Sequence, residues 1–87
     1  MAGARPILDL SFADYLLYGV GELAHQLAVA RHIGGQPQPL PLVIRVCTGI
    51  GLSSGPFHSG NYHNIFAQLP GLRVAAPATP HLSLIHI

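Results

Sequence analysis

The chain has 87 residues, of which 49% are apolar and only 8% are charged, and its formal net charge is +1. Ordinary soluble proteins have roughly 25% charged residues, so this chain has too few polar side chains to cover its own surface. We therefore expect the rest of a longer polypeptide, or other subunits, to cover much of it. The four basic residues are scattered arginines that form no stripe, which argues against nucleic acid as a partner.

Membrane and secretory patterns are not apparent in the sequence. Asp, Glu, Arg, Pro and Gly interrupt every apolar run before it approaches the roughly 20 residues of a membrane-spanning helix. The first residues do not have the pattern of a signal peptide. The single cysteine, Cys47, excludes an internal disulfide and is expected to be a packing residue in a reducing compartment. We expect no membrane partner and a cytoplasmic location, or the mitochondrial matrix in a eukaryote.

The first half of the chain predicts a strand followed by a helix. Ile7–Phe12 is a short apolar run after a proline and predicts a strand. Residues 13–32 carry leucines and valines at helical spacing, and Asp14 favours the start of this helix because a carboxylate stabilises the amino end of the helix dipole. A pair of glycines ends the helix, and the following stretch QPQPLP is expected to be extended.

The second half predicts two more strands and a short helix. Residues 42–47 are β-branched and apolar, which predicts a strand buried on both faces. A helix is predicted over 62–69 and a third strand over 72–77. Strands alternating with helices indicate an α/β fold, an incomplete slice of an open parallel sheet with right-handed crossovers. Ligands bind at the carboxyl ends of such strands, so Asp14 and Tyr15 are expected to share one rim with the loop after Cys47.

The last six residues, LSLIHI, have no turn residues and no place in this pattern. They resemble the translated read-through of a sequencing adapter. We therefore expect residues 82–87 not to be native and the partial domain to comprise residues 1–81.

The glycine-rich loop at residues 51–63, GLSSGPFHSGNYH, suggests several kinds of site. His58 and His63 are five residues apart and no acidic residue follows Glu22, which does not match common zinc patterns. The glycines match neither a phosphate-binding nor a dinucleotide-binding motif, and no serine lies in a nucleophile elbow. The remaining candidate is His58. It is either an acid, base or hydrogen-bond donor at the rim, or a structural histidine that is hydrogen-bonded to neighbouring backbone. His25, His32 and His63 are expected to be structural.

Four blocks of the sequence together resemble a known family: RPILDLSFADY, GGQPQPLPLVIR, GPFHSG and PGLRVAAPATP. In this order and spacing they resemble the central part of the β subunit of the thiamine-diphosphate-dependent 2-oxo acid dehydrogenases, which decarboxylate pyruvate or branched-chain 2-oxo acids. The resemblance runs ungapped from about Arg5 to Pro80 and implies a pyrimidine-binding, transketolase-like domain. Transketolase-like and deoxyxylulose-phosphate-synthase-like enzymes share this fold and are the alternative, as is a truncated chain without activity.

The resemblance implies roles for individual residues. Tyr15 matches the aromatic residue that lies against the aminopyrimidine ring of thiamine diphosphate, although by itself it is expected to be a core residue. His58 matches the active-site histidine that interacts with substrate, reaction intermediates or the lipoyl group. Leu42 matches a position whose backbone carbonyl helps to hold a structural potassium ion in some members of the family. Arg45 is expected to be structural, and Asp9 stands where the family usually has Glu.

The resemblance also implies partners and departures. GNYHN follows the pair His58-Ser59 where the family commonly has Gln and then often a Pro-Glu pair, so this loop is expected to pack differently. The activating glutamate lies upstream of this segment, and the diphosphate and magnesium ligands belong to the α subunit, so the fragment alone is expected to be inactive. The expected partners are the α subunit, a second β subunit in an α₂β₂ assembly, and the lipoyl-bearing acyltransferase core. The implied reaction is oxidative decarboxylation with acyl transfer to lipoyl groups.

Overall fold

A two-stranded parallel sheet with a helical connection organises the computed structural model, which describes residues 3–35, 40–49 and 53–86. Strand β1 (Ile7–Phe12) pairs with strand β2 (Val43–Cys47), and the first pairs in register are Ile7 with Val43 and Leu8 with Ile44. The predicted α/β fold is therefore confirmed. The extended conformation predicted for QPQPLP falls largely on residues 36–39, which lie outside the described residues.

The connection between the strands is helical but unevenly hydrogen-bonded. It consists of a 3₁₀-helix at Ala13–Gly19, helix α1 at Val20–Glu22, a π-helix at Leu23–Leu27 and helix α2 at Ala30–Ile33. The predicted helical span is thus confirmed, but not as one continuous α-helix. Glycine is a poor helix former, and Gly19, with φ −108° and ψ 15°, leaves the helical conformation where the 3₁₀-helix changes to α1.

A β-bulge lies near the carboxyl end of β1. Asp9 pairs with Arg45 and Phe12 with Cys47, so two residues of β1 lie between these pairs where β2 has one. One of the two, Ser11, has a φ of 64°, and its N–H donates a hydrogen bond of 2.9 Å to the Asp9 carboxylate. Asp9 also forms an ion pair with Arg45, whose Nε lies 3.1 Å from Oδ2. Arg45 therefore has a structural contact, as expected.

Two short helices follow β2. Helix α3 (His63–Ala67) lies within the predicted range 62–69, and helix α4 is Pro80–His86. The prediction of a third strand over 72–77 is wrong for this structure, because these residues adopt no regular structure and pair with neither β1 nor β2. A strand needs a neighbouring backbone for its hydrogen bonds. Most of the stretch expected to be non-native lies in α4, and its origin stays a prediction.

The buried core of the described residues is small. Its apolar members are Ala13, Ala28 and Phe66, and the carboxylate of Asp14 is buried beside them. Phe66 anchors α3 in this core. The chain after α3 turns at Gly71, whose φ is +93° and whose Cα faces the backbone of Ala28 so closely that a Cβ would overlap the Ala28 carbonyl oxygen. The chain just after α3 therefore packs directly against the helical connection.

Large apolar side chains are exposed over much of the remaining surface, as the composition predicts. The most exposed are Tyr18 at 89%, Phe57 at 78%, Ile33 at 77% and Leu84 at 75%. Strand β2 is only half-buried, and Cys47 is exposed, so the predictions of a fully buried strand and a packing cysteine are wrong here. A parallel strand is buried on both faces only when other elements cover both. None of the described helices is long and apolar enough to cross a membrane.

Candidate functional site at the carboxyl rim of the sheet

The carboxyl end of β1 and the loop after β2 meet at one rim of the sheet. The ring of His58 stacks on Phe12, with centroids 4.7 Å apart and an interplanar angle of 22°. Tyr15 lies edge-on to both rings, with its centroid 5.8 Å from that of His58 and 5.9 Å from that of Phe12. The structure therefore brings together Tyr15 and His58, which are 43 residues apart in the sequence, as the positions of the strand ends predict.

A β-turn presents His58 to β1. The turn begins at Gly55, with φ +78°, and the backbone N–H of His58 donates a hydrogen bond of 3.3 Å to the Gly55 carbonyl. Pro56 occupies the second position of the turn, where the fixed φ of proline is favourable. Phe57 at the third position points its ring to solvent, so the next residue, His58, turns back towards Phe12.

His58 is held by ring stacking while one of its nitrogens stays without a partner. Nδ1 of His58 and Oγ of Ser59 are both buried and have no hydrogen-bond partner among the described residues. Leaving a buried polar atom without a hydrogen bond costs about 1–3 kcal/mol. The alternative in which Nδ1 bonds to neighbouring backbone is not observed. These two buried polar atoms, on neighbouring residues at the rim, can therefore form hydrogen bonds with a ligand or with another part of the protein.

Asp14 ties the helical connection to the loop beyond His58. Its side chain is only 9% exposed. Oδ2 accepts a hydrogen bond of 3.2 Å from the backbone N–H of Gly60, and Oδ1 accepts one of 3.2 Å from the hydroxyl of Tyr62. The hydrogen bond between the Tyr62 hydroxyl and Asp14, together with desolvation and the negative charge of Asp14, raises the pKa of Tyr62 above its usual 10.0.

The sequence alone places Asp14 at the start of a helix and on the same rim as the loop after Cys47, because a carboxylate just after a strand lies where ligand-binding loops gather. It does not identify the hydrogen bonds of Asp14 to Gly60 and Tyr62. Neither Tyr62 nor Gly60 carries a sequence signal of this kind. Their part in the site depends on the path of the loop after His58, which the sequence does not specify.

The other candidate residues lie apart from this cluster. Nδ1 of His63 contacts the side-chain oxygen of Asn61, and the described residues contain no group of three side chains that could hold a metal ion. Leu42 precedes β2 at its amino end, whereas His58 is at the carboxyl rim. The N–H of Leu42 donates a hydrogen bond of 2.9 Å to the Leu40 carbonyl, and Leu42 lines a cavity of about 180 Å³ together with Arg5. Any ion at Leu42 is therefore separate from the His58 site.

Two parallel strands are joined by a helical connection, with aromatic rings and a histidine at the carboxyl rim of the sheet. This arrangement defines an α/β domain of the class that binds ligands at that rim. No family model matches the chain. The chain is 33% identical over 81 residues to the 2-oxoisovalerate dehydrogenase β subunit of Bacillus subtilis, and equally so to the β subunit of the pyruvate dehydrogenase E1 component of Staphylococcus epidermidis. It is 34% identical over 79 residues to the acetoin:2,6-dichlorophenolindophenol oxidoreductase β subunit of Cupriavidus necator.

These relatives confirm the family resemblance found in the sequence. The matches cover 93% of the chain for the first two relatives and 91% for the third. They cover 25% of the length of each of the first two relatives and 23% of the length of the third. The chain therefore spans about a quarter of the length of the curated relatives it matches. Over nearly all of its own length the chain is homologous to the β subunits of 2-oxoisovalerate, pyruvate and acetoin dehydrogenases, which have the thiamine-diphosphate-binding fold.

Proposed function

We propose that this chain is part of a β subunit that acts with an α subunit in the thiamine-diphosphate-dependent oxidative decarboxylation of a 2-oxo acid, with transfer of the acyl group to lipoyl groups. The observation that carries the proposal is the placement of His58, with its ring stacked at the carboxyl rim and its buried Nδ1 without a partner. The relatives named for the 2-oxo acids 2-oxoisovalerate and pyruvate are equally similar to the chain, so we assign the substrate class and not one substrate. A third relative of nearly equal identity is named for acetoin, which is a hydroxy ketone.

The residues at the rim fit the ring end of thiamine diphosphate. Tyr15 is 40% exposed, so part of its aromatic ring is available to pack against a flat aminopyrimidine. His58 lies within ring contact of Tyr15, and its imidazole can donate a hydrogen bond or a proton to a substrate. Thiamine diphosphate, when bound, supplies the electron sink for the loss of carbon dioxide.

The remaining assignments follow the family resemblance. We assign the diphosphate and magnesium to the α subunit and a structural potassium ion to the carbonyl of Leu42. We also assign a second β subunit and the lipoyl-bearing acyltransferase core as partners, in the cytoplasm or the mitochondrial matrix. The exposed apolar side chains support the presence of extensive partner surfaces.

The role of His58 is tested in the complete β subunit assembled with its α partner. We expect His58→Ala to lower 2-oxo acid turnover by about 10²–10³-fold, because positioned acid-base groups contribute rate factors of this order. The affinity for thiamine diphosphate, measured by calorimetry, is expected to be unchanged, since Tyr15 and the α subunit hold the cofactor. His63→Ala is the matched control, as His63 lies five residues further along the chain at the start of α3 and its only described polar side-chain contact is with Asn61. Turnover of the wild-type order in His58→Ala would make His58 a structural residue.

A further inference from the structure

We propose that Asp14 and Tyr62 are positioning residues that hold the segment after His58 and so fix the imidazole at the rim. The proposal rests on the function proposed above for His58. The two residues belong to different parts of the chain, because Asp14 is the second residue of the 3₁₀-helix after β1 and Tyr62 immediately precedes α3. Their hydrogen bond therefore joins the two parts of the chain that form the site.

His58 lies between two fixed points of the backbone. On one side, the turn at Gly55 holds the N–H of His58. On the other, the carboxylate of Asp14 accepts the N–H of Gly60, only two residues beyond His58. The backbone from His58 to Gly60 has little conformational freedom once both of its ends are held by these hydrogen bonds. The Asp14 carboxylate therefore determines where the ring of His58 can lie, without touching that ring through any polar contact described above.

Tyr62 makes the second contact of this clamp, which we define as Asp14, Gly60 and Tyr62. Both carboxylate oxygens of Asp14 are engaged, one by Gly60 and one by Tyr62. The ring of Tyr62 also covers the Cα of Gly60 so closely that a Cβ at this position would overlap the ring. The clamp thus requires a glycine at 60 as well as a hydroxyl at 62. Both residues fall in GNYHN, where the sequence departs from the pattern common in the family.

The clamp is tested by Tyr62→Phe in the complete β subunit assembled with its α partner. This variant removes one hydroxyl and keeps the ring, whereas replacing the buried Asp14 risks misfolding. We expect the amide hydrogen of Gly60 to exchange about 5–10-fold faster, as for the loss of one hydrogen bond. Turnover is expected to fall about 3–10-fold in kcat with little change in KM. The matched control is Tyr18→Phe, because Tyr18 is 89% exposed and donates no described hydrogen bond.

A double variant separates positioning of His58 from a general structural effect. If the clamp acts through His58, Tyr62→Phe causes no further loss of turnover in the His58→Ala background. An equal loss in both backgrounds would overturn the proposal. Unchanged exchange of the Gly60 amide in Tyr62→Phe would also overturn it. Wild-type turnover in His58→Ala alone would instead remove the proposed function of His58, while the exchange rate of Gly60 would still report whether the clamp exists.

Discussion

Two carboxylates in or just after β1, those of Asp9 and Asp14, have different structural roles. Asp9 is 46% exposed and stabilises the bulge from the surface, and its pKa is lowered by the hydrogen bond from the Ser11 N–H and by Arg45. Asp14 is buried and connects two elements. The sequence shows both as acidic residues close to a strand end. It does not show which is buried, because burial depends on the loop that returns from β2.

The titration of Tyr62 reports on its bond to Asp14. Because the pKa of Tyr62 is raised in the folded protein, its contribution to stability is fully present below pH 10.0 and is lost as the pH rises through the folded pKa. We expect phenolate absorbance, taken as the difference between wild type and Tyr62→Phe, to appear above pH 10.0. In Asp14→Asn the same titration is expected to move back towards pH 10.0. A titration of Tyr62 that Asp14→Asn does not shift would contradict the hydrogen bond.

At the scale of elements, the order of strand, helix, strand and short helix is determined by local patterns. Apolar runs and helical spacing place β1, the helical connection, β2 and α3 within one or two residues of their observed positions. The uneven winding of the connection and the bulge of β1 are not predicted. Gly19 leaves the helical conformation where the 3₁₀-helix changes to α1, and the bulge lies where Asp9 holds Ser11 with a φ of 64°. The third predicted strand fails because nothing in the described residues pairs with it.

Substitution of Gly71 tests the packing between the chain just after α3 and the helical connection. Alanine at this position must adopt a positive φ and also overlap the Ala28 carbonyl oxygen. We expect Gly71→Ala to lower the free energy of unfolding of the complete subunit by about 3 kcal/mol, from backbone strain together with overpacking.

Gly35→Ala is the matched control for this effect. Gly35 also has a positive φ, +60°, but no atom lies within 4 Å of a Cβ there. The control is expected to lose only about 1 kcal/mol, the cost of the backbone strain. Equal losses in the two variants, measured by denaturant unfolding, would show that the contact with Ala28 contributes nothing.

At the scale of the whole molecule, the composition and the structure point to the same property. A chain with 8% charged residues leaves large apolar side chains exposed, since it has few polar groups to replace them. The helices and two strands bury a core of only a few residues. Contacts with further protein are therefore expected to supply much of the stability of this segment.

The dependence on further protein is tested with the 87-residue chain itself. We expect it to bind an apolar fluorescent dye strongly and to show no 2-oxo acid turnover when α subunit and thiamine diphosphate are added. The complete β subunit that contains this segment, assembled with the α subunit, is the control and is expected to be active with weak dye binding. Turnover by the 87-residue chain would show that the segment holds a complete catalytic unit.

The sequence by itself determined the α/β class and the rim of the sheet at which the site lies, because strand and helix patterns are local. It also determined the family, because four motifs in fixed order resemble one family. It also identified Tyr15 and His58 as candidates, although their roles stay predictions. Only the tertiary structure decided that Asp14 is buried and bound to Gly60 and Tyr62. The physical reason is that these contacts join residues 46 and 48 positions apart, and their geometry depends on the bulge, the turn at Gly55 and the packing of α3 together.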